Sequence, residues 1–395
     1  METSLKVLMT SSDRKLLEEG SMVSERMKDY GNLVEELHIV LLCDKAHTKK
    51  LPAKTGGSAN TYGGKISDNV WIYPTNSFFK FMRPFDAARI GKKLVFGRKF
   101  VRGKSLITAQ DPFECGWAGL KVKRKWRLPL EVQMHTDPFS PYFSGFLNFI
   151  RKMIAKKVLR HADTLRVVSE SIKNLLHTSY SILPTTISVL PIYVDKEKIE
   201  NGKISFDLHA RYGWHFIMLT VSRLAPEKNL SLALETLAMV RTKFPNTGLI
   251  IVGSGPEERK LKSLVKKLKL ESAVIFAGWQ DNLTSFYKTS NVFIQTSLFE
   301  GYGLALVEAG LSGLPVITTP VGIALELQHS KDAYIYPPQA ELFAAGVIDL
   351  MENNQKRENM RMNMKRALEQ KLLSKADYMA KIKDNWEKTA KKVKS

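Results

Sequence analysis

Glu300 and Glu308 close the segment Glu300-Gly301-Tyr302-Gly303-Leu304-Ala305-Leu306-Val307-Glu308. A carboxylate leads into a Gly-x-Gly turn. An apolar helical start follows, and a second carboxylate falls inside the helix. Glycines let a ligand come close to the backbone, and the free amides at a helix N-terminus favour an anion. Carboxylates accept hydrogen bonds from hydroxyl groups. Amides for phosphate and carboxylates for hydroxyls together suit a nucleotide sugar. The plainer alternative is a surface glutamate, a turn and a helical glutamate. Spacing alone does not choose between the two.

Two further segments bear on that choice. Ser222-Arg223-Leu224-Ala225-Pro226-Glu227-Lys228-Asn229 follows an apolar run at 216–221. A strand end is where an α/β domain collects its ligands. Arg223 and Lys228 put two cations there, able to neutralise a diphosphate and stabilise it as a leaving group. On spacing alone a pair of solvated loop charges is the favoured alternative. After the next apolar run comes Gly253-Ser254-Gly255-Pro256, which reads as a tight turn into a helix with Pro256 in its first turn. Such a turn passes close to a phosphate or is only structural. It lacks the third glycine of a dinucleotide fingerprint, and there is no Gly-Lys-Ser/Thr element, so neither NAD nor a P-loop nucleotide is indicated. No Asp-x-Asp motif and no His/Cys cluster at ligand spacing occurs, so no metal is expected.

These residues need a scaffold, and the length bounds it. The chain has 395 residues, which predicts two domains of roughly 150–200 residues each. The first half predicts strands over 6–9, 39–42, 70–73, 106–109, 130–134, 164–168 and 188–190. A helix over 22–37 is predicted between the first two. Strand, helix, strand is the grammar of a doubly wound α/β domain. Residues 191–214 break the rhythm and read as the join. The second half predicts strands over 216–221, 249–252, 274–276, 292–295, 315–318 and 333–335, with a helix over 230–244. The tail from 340 is helical and ends in a basic run at 391–394. The expected division is 1–190, 191–375 and a C-terminal helix over 376–395 that returns to the first domain. No run of about 20 apolar residues is present, so no membrane span is expected. The start of the chain reads as a short strand without a signal-peptide layout. Cys43 and Cys115 read as reduced core thiols of a cytoplasmic protein.

The charge is one-sided: 60 Lys and Arg against 39 Asp and Glu, net +21. Three clusters lie in the first half, at 89–104, 121–127 and 151–160. Such a face attracts anionic lipid, nucleic acid or a phosphorylated substrate. A generally basic soluble surface accounts for it equally well. A nucleic-acid-binding protein is a competing class, but no RNP or KH signature is present.

Taken in order, the second half gives Arg223 and Lys228, then Gly253-Ser254-Gly255-Pro256, then Gly278-Trp279. Next come Glu300 with Glu308, and last a small-residue turn at 310–314 before Pro315-Val316. This order resembles the retaining glycosyltransferases of family 4, which have the GT-B fold: two doubly wound Rossmann-like domains facing a cleft. Their E-x7-E signature matches Glu300 and Glu308, and their Arg and Lys pair matches Arg223 and Lys228. In the first half, His135 follows a strand as the family's cleft histidine does. The family's glycine-rich first loop has its nearest match in Gly20-Ser21, since the loop over 11–21 holds only that glycine. The family's Gly-Gly pair is replaced here by Gly322-Ile323.

The resemblance implies an acceptor-binding first domain and a donor-binding second one. It implies transfer of a hexosyl group, with retention, from a UDP- or GDP-linked sugar. No cofactor and no metal are implied. The acceptor is expected to be lipid-linked or a glycan of the cell envelope, with a small soluble acceptor as the alternative. Glu300, His135, Arg223 and Lys228 take the catalytic places. Glu308 takes the ribose hydroxyls, and Gly301, Tyr302, Gly303 and Leu304 hold the sugar and diphosphate. Trp279 and Gln280 flank the base, and Gly253, Gly255, Gly20 and Ser21 complete the donor set. A stretch over 139–160 interleaves Phe143, Phe146, Phe149 and Ile150 with Arg151, Lys152, Lys156 and Lys157. It reads as an amphipathic helix lying on anionic lipid or as a helix packed on its own domain. Peripheral association with the inner membrane face is the expectation.

Overall fold

The computed structural model describes residues 5–45, 64–143, 145–178 and 186–392. The first four residues and the last three, including part of the basic run, lie outside this set. The chain forms two compact units: Met1–Pro191 with Ser374–Ser395, and Ile192–Leu373.

The first unit is built on eight strands: β1 (Lys6–Ser11), β2 (Glu36–Leu41), β3 (Gly64–Ser67), β4 (Val70–Pro74), β5 (Ser105–Ala109), β6 (Leu130–Met134), β7 (Thr164–Val167) and β8 (Thr186–Val189). Their order is β3-β4-β2-β1-β5-β6-β7-β8. All pairs are parallel except β3 with β4. The interior strands are buried along their length because helices cover both faces, and the polar residues they carry, Glu131, Gln133 and Arg166 among them, are buried with them. β1 pairs with both β2 and β5. The strand order reverses there, so the carboxyl ends of β1 and β5 flank a crevice of the kind that binds ligands.

The second unit has six parallel strands: β9 (Phe216–Val221), β10 (Thr247–Val252), β11 (Val274–Gly278), β12 (Val292–Gln295), β13 (Val316–Thr318) and β14 (Tyr334–Ile335). Their order is β11-β10-β9-β12-β13-β14. Here β9 carries β10 on one side and β12 on the other, so the reversal falls between β9 and β12. One core cluster, from Phe216 through Leu237 and Ile294 to Phe343, lies between the sheet and the helices Leu230–Lys243 and Ala340–Glu352.

Each predicted strand overlaps an observed one, and β3 is the strand among the described residues that the pattern misses. The predicted helix over 22–37 needs correction. The helix is Met22–Gly31, and β2 already begins at Glu36. Asn69 ends it by donating to the carbonyls of Gly31 at 2.8 Å and Val34 at 2.9 Å. Gly31 also abuts β4, since a Cβ there would sit 2.3 Å from Val70 Cγ2. The apolar residues Val34 and Leu37 therefore serve the turn and the strand, not a helix face. The amphipathic helix expected over 139–160 is Phe146–His161. Pro138 and Pro141, with turns capped by Asp137 and Ser140, hold the preceding stretch out of it.

The C-terminal helix Lys375–Ala390 packs within the first unit. Trp386 is fully buried and meets Tyr30 edge to face, centroids 5.5 Å apart. Its Nε1 donates to Glu131 Oε1 at 3.3 Å. The Thr108 hydroxyl donates to the same oxygen at 2.8 Å. Gln133 continues the network by donating to Thr108 Oγ1 and accepting from Arg166 Nη2 at 3.0 Å. Trp386→Ala would leave a cavity and remove one of the two donors to Glu131 Oε1. It should cost about 3–5 kcal/mol, read as a fall in the urea midpoint of the first unit's transition. A loss under about 1 kcal/mol would show that the helix contributes little to that unit's core.

Candidate functional site

In the second unit, the loops that leave β9 and β12 carry most of the predicted site. The first spans 222–229 and presents Arg223 and Lys228. The second spans 296–303 and presents Glu300 and the Gly-Tyr-Gly turn. Backbone and side chains join them: Leu298 N–H donates to the Glu227 carbonyl at 2.8 Å, and Thr296 Oγ1 donates to the Lys228 carbonyl at 2.9 Å. Lys228 Nζ then reaches Glu300 Oε1 at 2.8 Å, and Ser297 Oγ donates to the same oxygen at 2.7 Å. The ion pair is sheltered, with the two side chains 17% and 14% exposed. Glu300 Oε2 has no partner among the described residues. Arg223 is held differently: its guanidinium pairs with Glu227 while remaining 68% exposed.

Gly253 and Gly255 lie at the end of β10, beside this first loop. Gly253 has φ +131°, and a Cβ on it would sit 1.9 Å from the Ser222 carbonyl oxygen. A Cβ on Gly255 would sit 2.3 Å from the Leu224 carbonyl oxygen. Leu224 N–H donates to Ser254 O, and Glu257 N–H donates to Leu224 O, each at 3.0 Å. The close approach that these glycines allow is thus to the loop holding Arg223. The helix after this turn starts at Glu258, so Pro256 precedes it and is not in its first turn.

Glu308 lies on the helix Leu304–Leu311, whose N-cap is Gly303 at φ +96°. The amides of Leu304 and Ala305 find no acceptor among the described residues, as expected of a helix start. The Tyr287 hydroxyl donates to Glu308 Oε2 at 3.0 Å. Tyr287 is buried on the short helix Thr284–Lys288, where Lys288 Nζ grips the carbonyls of Glu200 at 2.6 Å and Gly202 at 2.8 Å. Burial raises the Glu308 pKa above its ordinary value, and the Tyr287 hydrogen bond works against that rise. Burial also pushes the Tyr302 phenol well above its usual range, so that it stays protonated. Gly322 sits beneath the turn: a Cβ there would lie 2.4 Å from Tyr302 O and 3.0 Å from Glu300 Cβ.

Trp279 and Gln280 follow β11, two strands away from β9. The Trp279 indole is 65% exposed and donates to Asp281 Oδ1 at 3.2 Å. Gln280 Nε2 turns back to the Ala277 carbonyl at 2.8 Å. In the first unit, His135 follows β6 and is open to solvent. Desolvation by surrounding protein, then the guanidinium groups of Arg166 and Arg26, push its imidazole down to about 3. Both influences favour the neutral imidazole. Gly20, at φ +73°, precedes Ser21. The Ser21 hydroxyl caps the helix Met22–Gly31, accepting from Ser24 N–H at 3.1 Å and donating to the Lys15 carbonyl at 2.6 Å.

The structure thus brings Arg223, Lys228, Glu300 and Gly301–Leu304 to one switch point, with Glu308 one to two helical turns further on. Sequence reasoning missed Glu227, Tyr287 and Ser297 as site residues, and named Gly322 only as a departure from the Gly-Gly pair. Only Ser297 and Glu227 carried a signal, since each sits within the motif loop it supports. Cations, helix-start amides and hydroxyl-accepting carboxylates at this point are the groups that a diphosphate and a sugar or ribose require.

The chain matches the model of glycosyl transferases group 1 over residues 206–367 and that of glycosyltransferase family 4 over residues 58–198. An alpha-monoglucosyldiacylglycerol synthase of Acholeplasma laidlawii is 24% identical across 62% of this chain and 65% of its own length. An uncharacterized glycosyltransferase of Methanocaldococcus jannaschii is 29% identical across 47% of each chain. The chain therefore spans less than two thirds of these relatives. Among solved structures, the sucrose-phosphate synthase of Thermosynechococcus elongatus superposes with a TM-score of 0.72 at 18% identity, covering 97% of this chain and 98% of the other. Anabaena HepE in complex with UDP-glucose gives 0.69 at 18% identity, covering 98% and 99%.

The two kinds of glycine separate in a stability measurement. Gly303→Ala meets nothing closer than 3.8 Å and should cost only the left-handed backbone strain, about 1–2 kcal/mol. Gly253→Ala adds a clash with the Ser222 backbone and should cost more. Equal falls in thermal midpoint would mean that the contact with the Arg223 loop does not constrain Gly253.

Proposed function

We propose a function from one premise: this chain belongs to the group 1, family 4 glycosyltransferases and has the GT-B fold. It moves a hexosyl group from a nucleotide diphosphate sugar to a lipid-linked or glycan acceptor. The observation that carries this reading is the Lys228–Glu300–Ser297 cluster at the β9/β12 switch point, with Arg223 beside it and Glu308 on the adjoining helix. Anabaena HepE, seen with UDP-glucose, supports a uridine donor, and GDP is the second choice.

In this reading the diphosphate lies against Arg223, Lys228 and the amides at Leu304, whose combined positive potential makes a metal or cofactor unnecessary. Glu308 accepts from the ribose hydroxyls. Glu300, steadied on one oxygen by Lys228 and Ser297, offers the other to a hydroxyl of the sugar. Trp279 and Gln280 flank the base. The anomeric carbon–oxygen bond to the diphosphate breaks as the bond to the acceptor oxygen forms on the same sugar face. The acceptor proton passes to the departing phosphate oxygen. Configuration is thereby retained.

Acceptor and location are the finer part. Relatives include a monoglucosyldiacylglycerol synthase and a galactosyltransferase acting on a diphosphoundecaprenol-linked sugar, which supports a lipid-bearing acceptor here. No helix among the described residues is long and apolar enough to cross a membrane. The proposed placement is peripheral, on the inner membrane face.

The test is a donor screen with UDP-, GDP- and ADP-sugars in EDTA, scored by nucleotide diphosphate release with and without lipid acceptors. No release with any donor would count against the enzyme reading, and release only after divalent metal is added would overturn metal independence. Glu308→Ala should raise the donor KM about tenfold to hundredfold, the worth of a hydrogen bond to a charged group, with kcat nearly unchanged. Glu300→Ala should lower kcat by roughly 10²–10³ without raising KM, because it also frees Lys228 for the diphosphate. Equal effects of the two variants on both constants would refute the division of roles.

Glu308 must be ionised to accept both ribose hydroxyls. Its pKa lies above the ordinary carboxylate value, so donor KM should begin to rise on acidification at a higher pH than a solvent-exposed glutamate would give. Tyr287→Phe removes the hydrogen bond that favours the ionised form. The onset should then move to still higher pH. An unmoved acid limb would remove Tyr287 from this role.

A further inference from the structure

Outside the donor site, the outer surface of the first unit is unexplained by the transfer reaction. Three helices lie side by side there: Arg83–Gly97, Glu114–Trp126 and Phe146–His161. Each follows a parallel strand, so all three begin at the carboxyl edge of the sheet. On each, large apolar side chains in the first turns are followed by lysines further on. Phe85 precedes Lys92 and Lys93 on the first, and Trp117 precedes Lys121 and Arg124 on the second. Phe146, Leu147, Phe149 and Ile150 precede Lys156 and Lys157 on the third.

Between the first two helices lies a groove of about 420 Å³ lined by Phe85, Arg89, Lys92, Lys93, Trp117 and Lys121. Its floor is aromatic. The Phe85 and Trp117 rings meet edge to face with centroids 4.6 Å apart, and Lys121 Nζ stands 4.8 Å from the Trp117 centroid. Arg89 pairs with Asp86 at 3.0 Å. Lys92, Lys93 and Lys121 form no ion pair among the described residues. Four cations converge with one carboxylate among them, so the complementary occupant is an anion.

The surroundings decide which anion. Phe78, Phe79 and Phe81, in the segment leading into the first helix, are all exposed, as is Phe85 itself. Phe146, Leu147, Phe149 and Met153 are exposed on the third helix. Stacking of Phe113 on Phe143 at 5.2 Å and the Arg151–Glu114 pair at 2.8 Å hold the loop before the third helix, and the helix itself, against the start of the second. So many exposed large apolar side chains at one edge exceed what a soluble surface ordinarily tolerates. A nucleic acid would use the cations and a few ring faces, but not Leu147 or Met153. Lys92 and Lys93 are seven and eight residues beyond Phe85, about 10–12 Å along the helix. That separation matches aromatic side chains at the acyl boundary with ammonium groups at the depth of the phosphates.

We propose that the groove between helices Arg83–Gly97 and Glu114–Trp126 takes the phosphate of an anionic phospholipid headgroup, while Phe78, Phe81 and Phe146 enter the bilayer beside it. This deepens the membrane placement above and rests on it. The reading moves that contact from the single helix expected over 139–160 to a three-helix edge with a defined headgroup site.

The test uses the full chain and flotation with vesicles of phosphatidylcholine alone or mixed with phosphatidylglycerol. Wild type should float with the mixed vesicles and be released by salt. Lys92→Gln/Lys121→Gln, two charges lost inside the groove, should weaken partitioning on the order of thirtyfold. Lys156→Gln/Lys157→Gln, two charges lost on the same unit outside the groove, should weaken it only severalfold. Donor hydrolysis should be unchanged in both, which reports that they are folded. Equal losses in the two variants would overturn the groove and leave a diffuse basic membrane surface. Equal binding of wild type to both vesicle types would overturn the headgroup site. Failure to bind either vesicle would bring down the membrane placement itself. Retardation of labelled RNA that is lost in the groove variant, without vesicle binding, would reassign the groove to nucleic acid.

Discussion

The contact between Lys228 and Glu300 links the two loops at the switch point of the second unit. It spans 72 residues of sequence, and it can form only because β9 and β12 are neighbours in the sheet. Their parallel pairing places both outgoing loops at the same edge. Thr296 and Leu298 then fix one loop's backbone to the other. The pair is sheltered, so each charge has its counter-charge near it; stripping either from water alone would be costly. Ser297 supplies a second donor to the same carboxylate oxygen. One oxygen of Glu300 is thus spent on holding the site together and the other is left for a ligand. A carboxylate with both oxygens solvated would have no such preference.

Chemistry confined to one loop could be read in the sequence, and chemistry shared between elements could not. Arg223, Lys228 and Glu300 each follow an apolar strand, so their place at a strand end followed from the run before them. Tyr287 had no such mark. It lies 21 residues before Glu308, on a short helix whose position depends on Lys288 reaching the carbonyls of Glu200 and Gly202. Gly253 and Gly255 were legible as a turn, but the identity of what approaches them was not, because the partner is the backbone of another loop. The misread helix over 22–37 has the same origin. Val34 and Leu37 fit a helical period, and only the approach of β4 to Gly31 shows where the chain must turn. Ser21 had a pattern that suited a ligand loop, yet its hydroxyl is used by the helix it caps.

The first unit also shows how neighbouring charge bears on a residue that sequence can only name. His135 ends a strand whose neighbours on the same face are Glu131 and Gln133, with Arg166 alongside on β7. The guanidinium of Arg166 is buried and bound to Gln133. A cation fixed that close disfavours a second one, and desolvation acts in the same direction. The groups that favour the neutral imidazole are kept in place by packing against the C-terminal helix. A histidine in that state offers one donor and one acceptor to a ligand and no charge.

The two units handle anions by different physical means. In the second, each cation is already matched: Lys228 to Glu300 and Arg223 to Glu227. A phosphate entering there must compete with a carboxylate, so a lone surface anion gains little, whereas a ligand that also satisfies Glu300 and Glu308 through hydroxyls gains on both counts. Pairing therefore acts as a filter for ligands that carry phosphate and hydroxyl together. In the first unit, Lys92, Lys93 and Lys121 line one groove, Lys121 over the Trp117 ring, with no carboxylate to displace apart from the Asp86 held by Arg89. Unmatched exposed cations attract any dense array of phosphates, and ions screen that attraction within about 10 Å at 0.1 M salt. The excess charge of the chain, net +21, thus adds little to the matched cations of the second unit, and the proposed anionic surface is what it would serve.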